Sequence, residues 1–175
     1  MKTKSKKSVY LDCEWFTNQK IFLIGYCYDE RTLYQLYGRA LVSQNIKKML
    51  SGVDTIYFYG PDIAQIEKNF GINLRKKYRC VNLLTMFRHY APRLKSHKLA
   101  YMEKLAGIER ETIRYKTNIW KLIEDWHDPK RKKRCLQYNA EDVINLLLVK
   151  KWFFKKYGLR KSDALLFCLW ITAVF

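Results

Sequence analysis

The sequence predicts an α/β fold: a mixed central sheet, with an antiparallel three-strand meander plus parallel strands, flanked by helices on both faces. Three observations predict it. Residues 8 to 37 read as short apolar strands set apart by turn residues, the middle of the chain alternates strand with helix, and everything after Lys98 has helical spacing. At 175 residues the chain is long enough for one well-buried core and too short for two full domains.

The elements follow in order. After a basic leader, residues 1–7 (Met-Lys-Thr-Lys-Ser-Lys-Lys), Ser8 to Glu14 reads as a strand, Lys20 to Tyr28 as a second and Thr32 to Tyr37 as a third. Thr17-Asn18 and Asp29-Glu30 supply the turns between them. Leu41 to Leu50 puts Ile46, Met49 and Leu50 at helical spacing, with Ser43 as its N-cap and Gly52 as its stop. Thr55 to Tyr59 is a fourth strand, and Gly60-Pro61-Asp62 turns the chain into a helix that Gly71 ends after Phe70. Strand, tight turn and helix make a crossover unit. Arg79 to Leu83 is a fifth strand that runs into a helix ending near Tyr90, where Ala91-Pro92 breaks it. Helices then cover Leu99 to Ala106, Ile119 to Trp126 and Lys130 to Tyr157, the last opened by Asp128-Pro129 as a cap with proline in the first turn. Either one long helix or two, bent near Tyr138-Asn139, satisfies that final stretch. The domain therefore spans residues 8–158, and the apolar tail, 159–175, is too short to cross a bilayer and is expected to dock on the core or on a partner.

Charge narrows the function. Lys and Arg number 34 against 16 Asp and Glu, a formal net charge of +18, which calls for a polyanionic partner. Aromatic residues make up 15% of the chain and several stand among the cations, as in Arg75-Lys-Lys-Tyr-Arg79 and Lys150-Lys-Trp-Phe-Phe-Lys-Lys-Tyr157, so nucleic acid is the expected partner. Trp152, Phe153 and Phe154 fit a helix core as well as they fit contact with a strand. The basic run Lys130-Arg131-Lys132-Lys133-Arg134 fits a solvated face or a guide for the phosphate backbone; its place just before the late acidic motif favours substrate contact. Cys13, Cys27, Cys80, Cys135 and Cys168 are odd in number and widely spaced, which fits neither a disulfide framework nor a zinc module. They are expected to pack as small hydrophobes in a reducing compartment, and with no signal peptide evident a cytoplasmic location without membrane contact is expected. His89, His97 and His127 show no ligand spacing.

The chemistry concentrates in two acidic motifs. On a strand, residues two apart share a face, so Asp12 and Glu14 project together while Leu11 and Cys13 point the other way. Two adjacent carboxylates repel unless a cation lies between them. Far downstream, Tyr138 and Asp142 stand four apart, which on a helix places a phenol and a carboxylate on one face. Together the motifs read as a divalent-metal site, with Asp12-x-Glu14 alone also compatible with a solvated strand edge.

The order of these motifs, a meander with Asp12-x-Glu14, then strand-turn-Asp62-helix, then Tyr138-x-x-x-Asp142 on a late helix, resembles the ribonuclease H-like DEDD exonuclease superfamily in its DEDDy branch. Tyr138-Asn-Ala-Glu-Asp-Val-Ile-Asn-Leu146 is similar to the closing motif of YprB-type RNase H-like domains. Pro92-Arg-Leu-Lys-Ser-His-Lys-Leu99 and Leu105-Ala-Gly-Ile108 resemble the segment those proteins carry before it, and the likeness spans Val9 to Phe154. The resemblance implies a 3′-to-5′ exonuclease with catalytic residues Asp12, Glu14, Asp62, Tyr138 and Asp142. Asp12, Glu14, Asp62 and Asp142 would bind two metal ions about 4 Å apart, one generating hydroxide and the other stabilising the departing 3′ oxygen. An all-carboxylate set suits Mg²⁺ or Mn²⁺ better than zinc. Tyr138 would orient the attacking water, its ordinary pKa near 10 making it a poor base unless a metal or cation lowers it. The chain departs from the pattern around Asp62, where Tyr59-Gly60-Pro61-Asp62 is shorter than the family's motif, so that Asp62 also fits a helix N-cap. Asn82 stands where relatives often have aspartate and is not expected to be catalytic, and Glu141, about 100° around the helix from Asp142, is expected on the surface. A structure-specific endonuclease on the same scaffold and a non-catalytic nucleic-acid-binding subunit are the competing readings; the Tyr138-to-Asp142 spacing favours the exonuclease.

Overall fold

The computed structural model describes residues 7–112, 115, 118–164, 166 and 167; the remainder of the leader, Cys168 and the end of the tail lie outside the described residues. Five strands, β1 (Lys7–Trp15), β2 (Ile21–Cys27), β3 (Leu33–Tyr37), β4 (Val53–Phe58) and β5 (Arg79–Asn82), form one sheet in the order β3-β2-β1-β4-β5. β1 pairs antiparallel with β2, and β2 with β3; β1 pairs parallel with β4, and β4 with β5. The mixed sheet read from the sequence is the sheet observed.

Alternation along β1 decides what each face meets. Val9, Leu11 and Cys13 face the helices α1 (Ser43–Met49) and α2 (Asp62–Phe70), packing with Ile46, Met49, Ile63 and Ile66. Tyr10 faces the other way with Tyr57 and Val81, against α3 (Leu83–Tyr90), α4 (Leu99–Ala106) and α6 (Lys132–Lys156), which contribute Met86, Phe87, Met102, Leu146, Leu147 and Phe153. α5 (Ile119–His127) closes a smaller cluster in which Leu122 and Trp126 meet Phe22, Leu23 and Cys135. Phe153 and Phe154 are buried and Trp152 half-buried, so that aromatic run is core. Leu159, Ala164 and Phe167 of the tail pack on the same core. Cys13, Cys27 and Cys135 are buried free thiols, and Cys80 is half-buried.

Local chemistry shifts several expected boundaries. α1 starts with Ser43, not Leu41, because Val42 takes the N-cap position with extended backbone; the Ser43 hydroxyl bonds the Phe70 carbonyl at 3.2 Å instead of capping. The last helix is a single one of 25 residues that begins at Lys132. Asp128 and Pro129 precede it in a turn, where the Asp128 carboxylate accepts from Lys130 N at 2.9 Å. Its side chain thus closes a local Asx-type turn and leaves Arg131 as the residue that enters the helix.

α6 lies unusually close to the sheet at one point. A Cβ on Gly25 would fall 2.1 Å from Asn139 Oδ1 and 2.9 Å from the Val143 side chain, so only glycine admits the helix there. Gly25 sits opposite Asp12 in the β1–β2 register, which places the contact beside the acidic strand motif. Gly25→Ala is expected to push α6 off the sheet and lower unfolding stability by roughly 1–3 kcal/mol. Urea denaturation followed by circular dichroism measures this, and an unchanged midpoint would refute the packing argument.

Candidate active site

Strand period and helix period bring the two acidic motifs together. Asp12 and Glu14 share the Tyr10 face of β1, and α6 crosses that face carrying Tyr138, Asn139 and Asp142. One carboxylate oxygen each from Asp12, Glu14 and Asp142 lies within 4.8 Å of the others. Glu14 and Asp142 are buried and Asp12 half-buried, all at the floor of a cleft of about 420 Å³ that Tyr59, Asp62, Lys98, Arg110 and Tyr138 also line. Oxygen-only donors at this mutual spacing fit a hard divalent cation.

Asp62 lines the cleft but stands outside the three-carboxylate cluster. It is the first residue of α2, with Pro61 in the N-cap position, so the capping alternative is corrected. Its Oδ2 accepts from Tyr59 N at 3.3 Å, and its Oδ1 accepts from Cys13 Sγ at 3.5 Å. The turn that bears it is pinned by Asn82, whose Oδ1 accepts from Gly60 N at 3.1 Å while its Nδ2 donates to Gly60 O at 2.9 Å. Asn82 also caps α3 through Leu84 N.

The electrostatics are those of acids crowded out of water. Burial, then the charges of Glu14, Asp142 and Asp62, hold Asp12 well above the usual carboxylate range, with the Asn139 amide opposing. Glu14 is raised well above that range by burial and by Asp142 and Asp62, against Arg110. Burial pushes Asp62 up to about 7, opposed by its bonds to Tyr59 and Cys13, and Asp142 up to about 6, opposed by Arg110. The Tyr138 phenol is raised too, first by burial and then by Asp142, Glu14 and Asp12. Without a metal, then, Tyr138 is protonated and acts as a hydrogen-bonding group, not a base.

Four supporting residues, Asn139, Gln35, Arg110 and Glu103, went unseen in the sequence. Asn139 Nδ2 donates to Asp12 Oδ2 at 2.8 Å, and Gln35 Nε2 donates to Asn139 Oδ1 at 3.1 Å, so the third strand steadies the first carboxylate through the helix. The spacing of Asn139 three residues before Asp142 is the one signal that could have found it. Arg110 donates to Asp142 Oδ1 and makes a two-bond fork with Glu103, at 2.7 and 2.6 Å. Glu141 is outside the cluster; it is half-buried, and its Oε2 accepts from Thr112 N at 3.1 Å.

The basic run divides. Arg131 is engaged by Asp128 and Asp125, and Lys132 lies 4.1 Å over the Trp126 ring, whereas Lys130, Lys133 and Arg134 are exposed. His89 packs on Phe167, His97 Nε2 bonds Ala91 O at 2.9 Å and His127 stacks on Phe16, so none joins the acidic cluster.

These shifts have a pH signature. With Asp62 near 7 and Asp142 near 6, against roughly 4 in an unfolded chain, the folded state holds more protons between those values. Stability of the metal-free protein therefore falls as pH rises through that window. Thermal melts in chelator are expected to show a higher midpoint at pH 5 than at pH 8, with the difference reduced in Asp142→Asn. A wild-type midpoint independent of pH would contradict the crowding.

Among solved structures, a nuclease in its apo form superposes with a TM-score of 0.66 at 17% identity, over 94% of this chain and 80% of that one. Brucella melitensis NrnC does so with a TM-score of 0.66 at 15% identity, over 94% and 81%. The family B DNA polymerase of the archaeon Pyrobaculum calidifontis gives 0.65 at 14% identity, over 83% of this chain; the chain spans 24% of the polymerase's length. At these identities the likeness is one of fold. No curated protein sequence matches the chain. A family model described as RNase_H superfamily matches residues 9–154, from the third residue of β1 to within two residues of the end of α6, and the chain belongs to that superfamily.

Proposed function

We propose that this member of the RNase_H superfamily is a nuclease, and specifically a two-metal-ion 3′-to-5′ exonuclease of the DEDDy type acting on DNA or RNA. Superfamily membership supports the nuclease. The observation that carries the finer reading is the meeting, in one cleft, of Asp12 and Glu14 from the first strand with Asp142 and Tyr138 from the last long helix, beside Asp62. Brucella melitensis NrnC, a neighbour in fold, has been solved bound to pGG, which supports a short nucleic acid as ligand here.

In this reading Asp12, Glu14, Asp62 and Asp142 hold Mg²⁺ or Mn²⁺. The ions supply a more acidic water and stabilisation of the departing oxygen. The chain's own residues do the placing. Asn139 fixes the Asp12 carboxylate, and the protonated Tyr138 hydroxyl orients the water or the phosphate. Lys98, on the cleft lining, offers a cation to the strand. Arg134 precedes Tyr138 by four residues and Asp142 by eight, so one side of α6 runs from an exposed cation to the acidic cluster. Lys130, Lys133 and Arg134 are accordingly the members of the basic run that contact the phosphate backbone, with Arg131 and Lys132 shaping the surface between them. No helix among the described residues is long and apolar enough to cross a membrane, and buried free thiols fit a reducing, cytoplasmic setting.

The test is degradation of 5′-labelled single-stranded and duplex DNA and RNA in Mn²⁺, Mg²⁺ or chelator. A metal-dependent ladder shortening from the 3′ end is expected, reduced about 10³-fold in Asp12→Asn and Asp142→Asn. Discrete internal products would assign an endonuclease, and tight binding without cleavage in any metal would assign a binding subunit. Lys133→Ala and Arg134→Ala should each weaken binding in all sequences and lower the slope of log affinity against log salt by about one. An unchanged slope in both would place the backbone contact elsewhere.

A further inference from the structure

Arg110 is the buried cation of the cleft wall, its side chain 6% exposed. A guanidinium carries five donor hydrogens. Here Nε donates to Glu103 Oε2 and Nη2 to both Glu103 Oε1 and Asp142 Oδ1, while Nη1 has no acceptor among the described residues. Glu103 is itself buried and takes a further bond from Asn145 Nδ2 at 3.1 Å. The guanidinium is thus held in place by a frame that does not need Asp142.

Asp142 is the contested partner. Its carboxylate belongs to the cluster that suits a divalent ion, and the same carboxylate neutralises Arg110. A guanidinium and a divalent ion on one buried carboxylate repel each other strongly where water is scarce. Of the two attachments of Arg110, the single bond to Asp142 gives way more readily than the two-bond fork on Glu103. Arg110 would then present Nη1 and the freed Nη2 hydrogen on the wall of the cleft, a planar donor pair that matches two oxygens of a phosphodiester.

We propose that Arg110 holds Asp142 in the metal-free protein, competes with the divalent ion for that carboxylate when metal binds and, once displaced, donates to the scissile phosphate. This rests on the nuclease reading above. It makes Arg110 a catalytic residue that also keeps the acidic cluster from standing uncompensated before metal arrives.

Competition has a signature that simple support of Asp142 lacks: losing Arg110 should strengthen metal binding while weakening catalysis. Mn²⁺ affinity is measured by calorimetry without nucleic acid, and cleavage by single turnover at saturating Mn²⁺. Arg110→Met would strand Glu103, so it is made together with Glu103→Gln and compared with Glu103→Gln alone. Arg110→Lys is the second variant, which keeps the charge but not the fork that spans Glu103 and Asp142. The double variant is expected to bind Mn²⁺ at least about fivefold tighter than Glu103→Gln alone, whereas Arg110→Lys, which keeps the repelling charge, is expected to gain less. Both are expected to cleave about a hundredfold more slowly. If the folded double variant binds Mn²⁺ no tighter than Glu103→Gln alone, Arg110 only holds Asp142 in position and the competition is overturned. Undiminished cleavage at saturating Mn²⁺ removes the phosphate contact. If wild type and Asp12→Asn alike bind no Mn²⁺, the nuclease reading fails and this inference falls with it.

Discussion

The site depends on how closely α6 can approach β1 and β2. Helices normally rest on a sheet through a layer of side chains; at Gly25 that layer is missing, and Asn139 occupies the space. The consequence is geometric. Asn139 reaches the Asp12 carboxylate directly, Gln35 from β3 secures Asn139, and Asp142, one turn further along, comes within reach of Glu14. Three strands and one helix are stitched at a single glycine, so the relative position of the two acidic motifs is a property of the core and not of loops.

That placement carries an electrostatic load. Four carboxylates line one cleft, three of them buried, and their proton affinities are raised by lost hydration before any mutual repulsion is counted. A fold optimised only for stability would replace some of them with apolar side chains. The chain instead surrounds them with partial compensation: the Asn139 amide on Asp12, backbone N–H and thiol donors on Asp62, and the Glu103-anchored guanidinium on Asp142. None of these neutralises the cluster as a whole. Buried acids left under-compensated in this way are what the proposed cation site requires.

What could be read from the sequence follows the same division. Asp12 with Glu14 and Tyr138 with Asp142 were legible because strand and helix periods assign faces locally. The strand count and the mixed character of the sheet were legible because Gly, Pro, Asn and Asp mark the joins, whereas the strand order β3-β2-β1-β4-β5 was not assigned. Asn139 was harder, since its role depends on a contact 127 residues away and on the absence of a side chain at Gly25. Arg110 lies in irregular chain after α4, where no periodicity assigns a direction. The Ser43 cap failed because another acceptor, the Phe70 carbonyl, claimed its hydroxyl. Asp128 does not cap the helix because its carboxylate is committed to a turn one step earlier. In each case a tertiary or competing local partner decided the outcome.

The surplus of cations has to be read with equal care. A net charge of +18 describes the whole chain, but it does not describe a continuous basic face. Arg131 is spent on Asp125 and Asp128, Arg75 on Glu67, and Lys132 on the rings of Trp126 and Tyr37, where their role is to hold α5, α2 and α6 in place. Of the cations left exposed near the start of α6, Lys133 and Arg134 stand on the helix that also delivers Asp142 to the cleft. One rigid element therefore sets both the attraction of a polyanion and the position of the acidic cluster. The distance between them is fixed by helical rise at about 1.5 Å per residue, so that from Arg134 to Asp142 it is about 12 Å, close to two phosphate spacings of an extended strand.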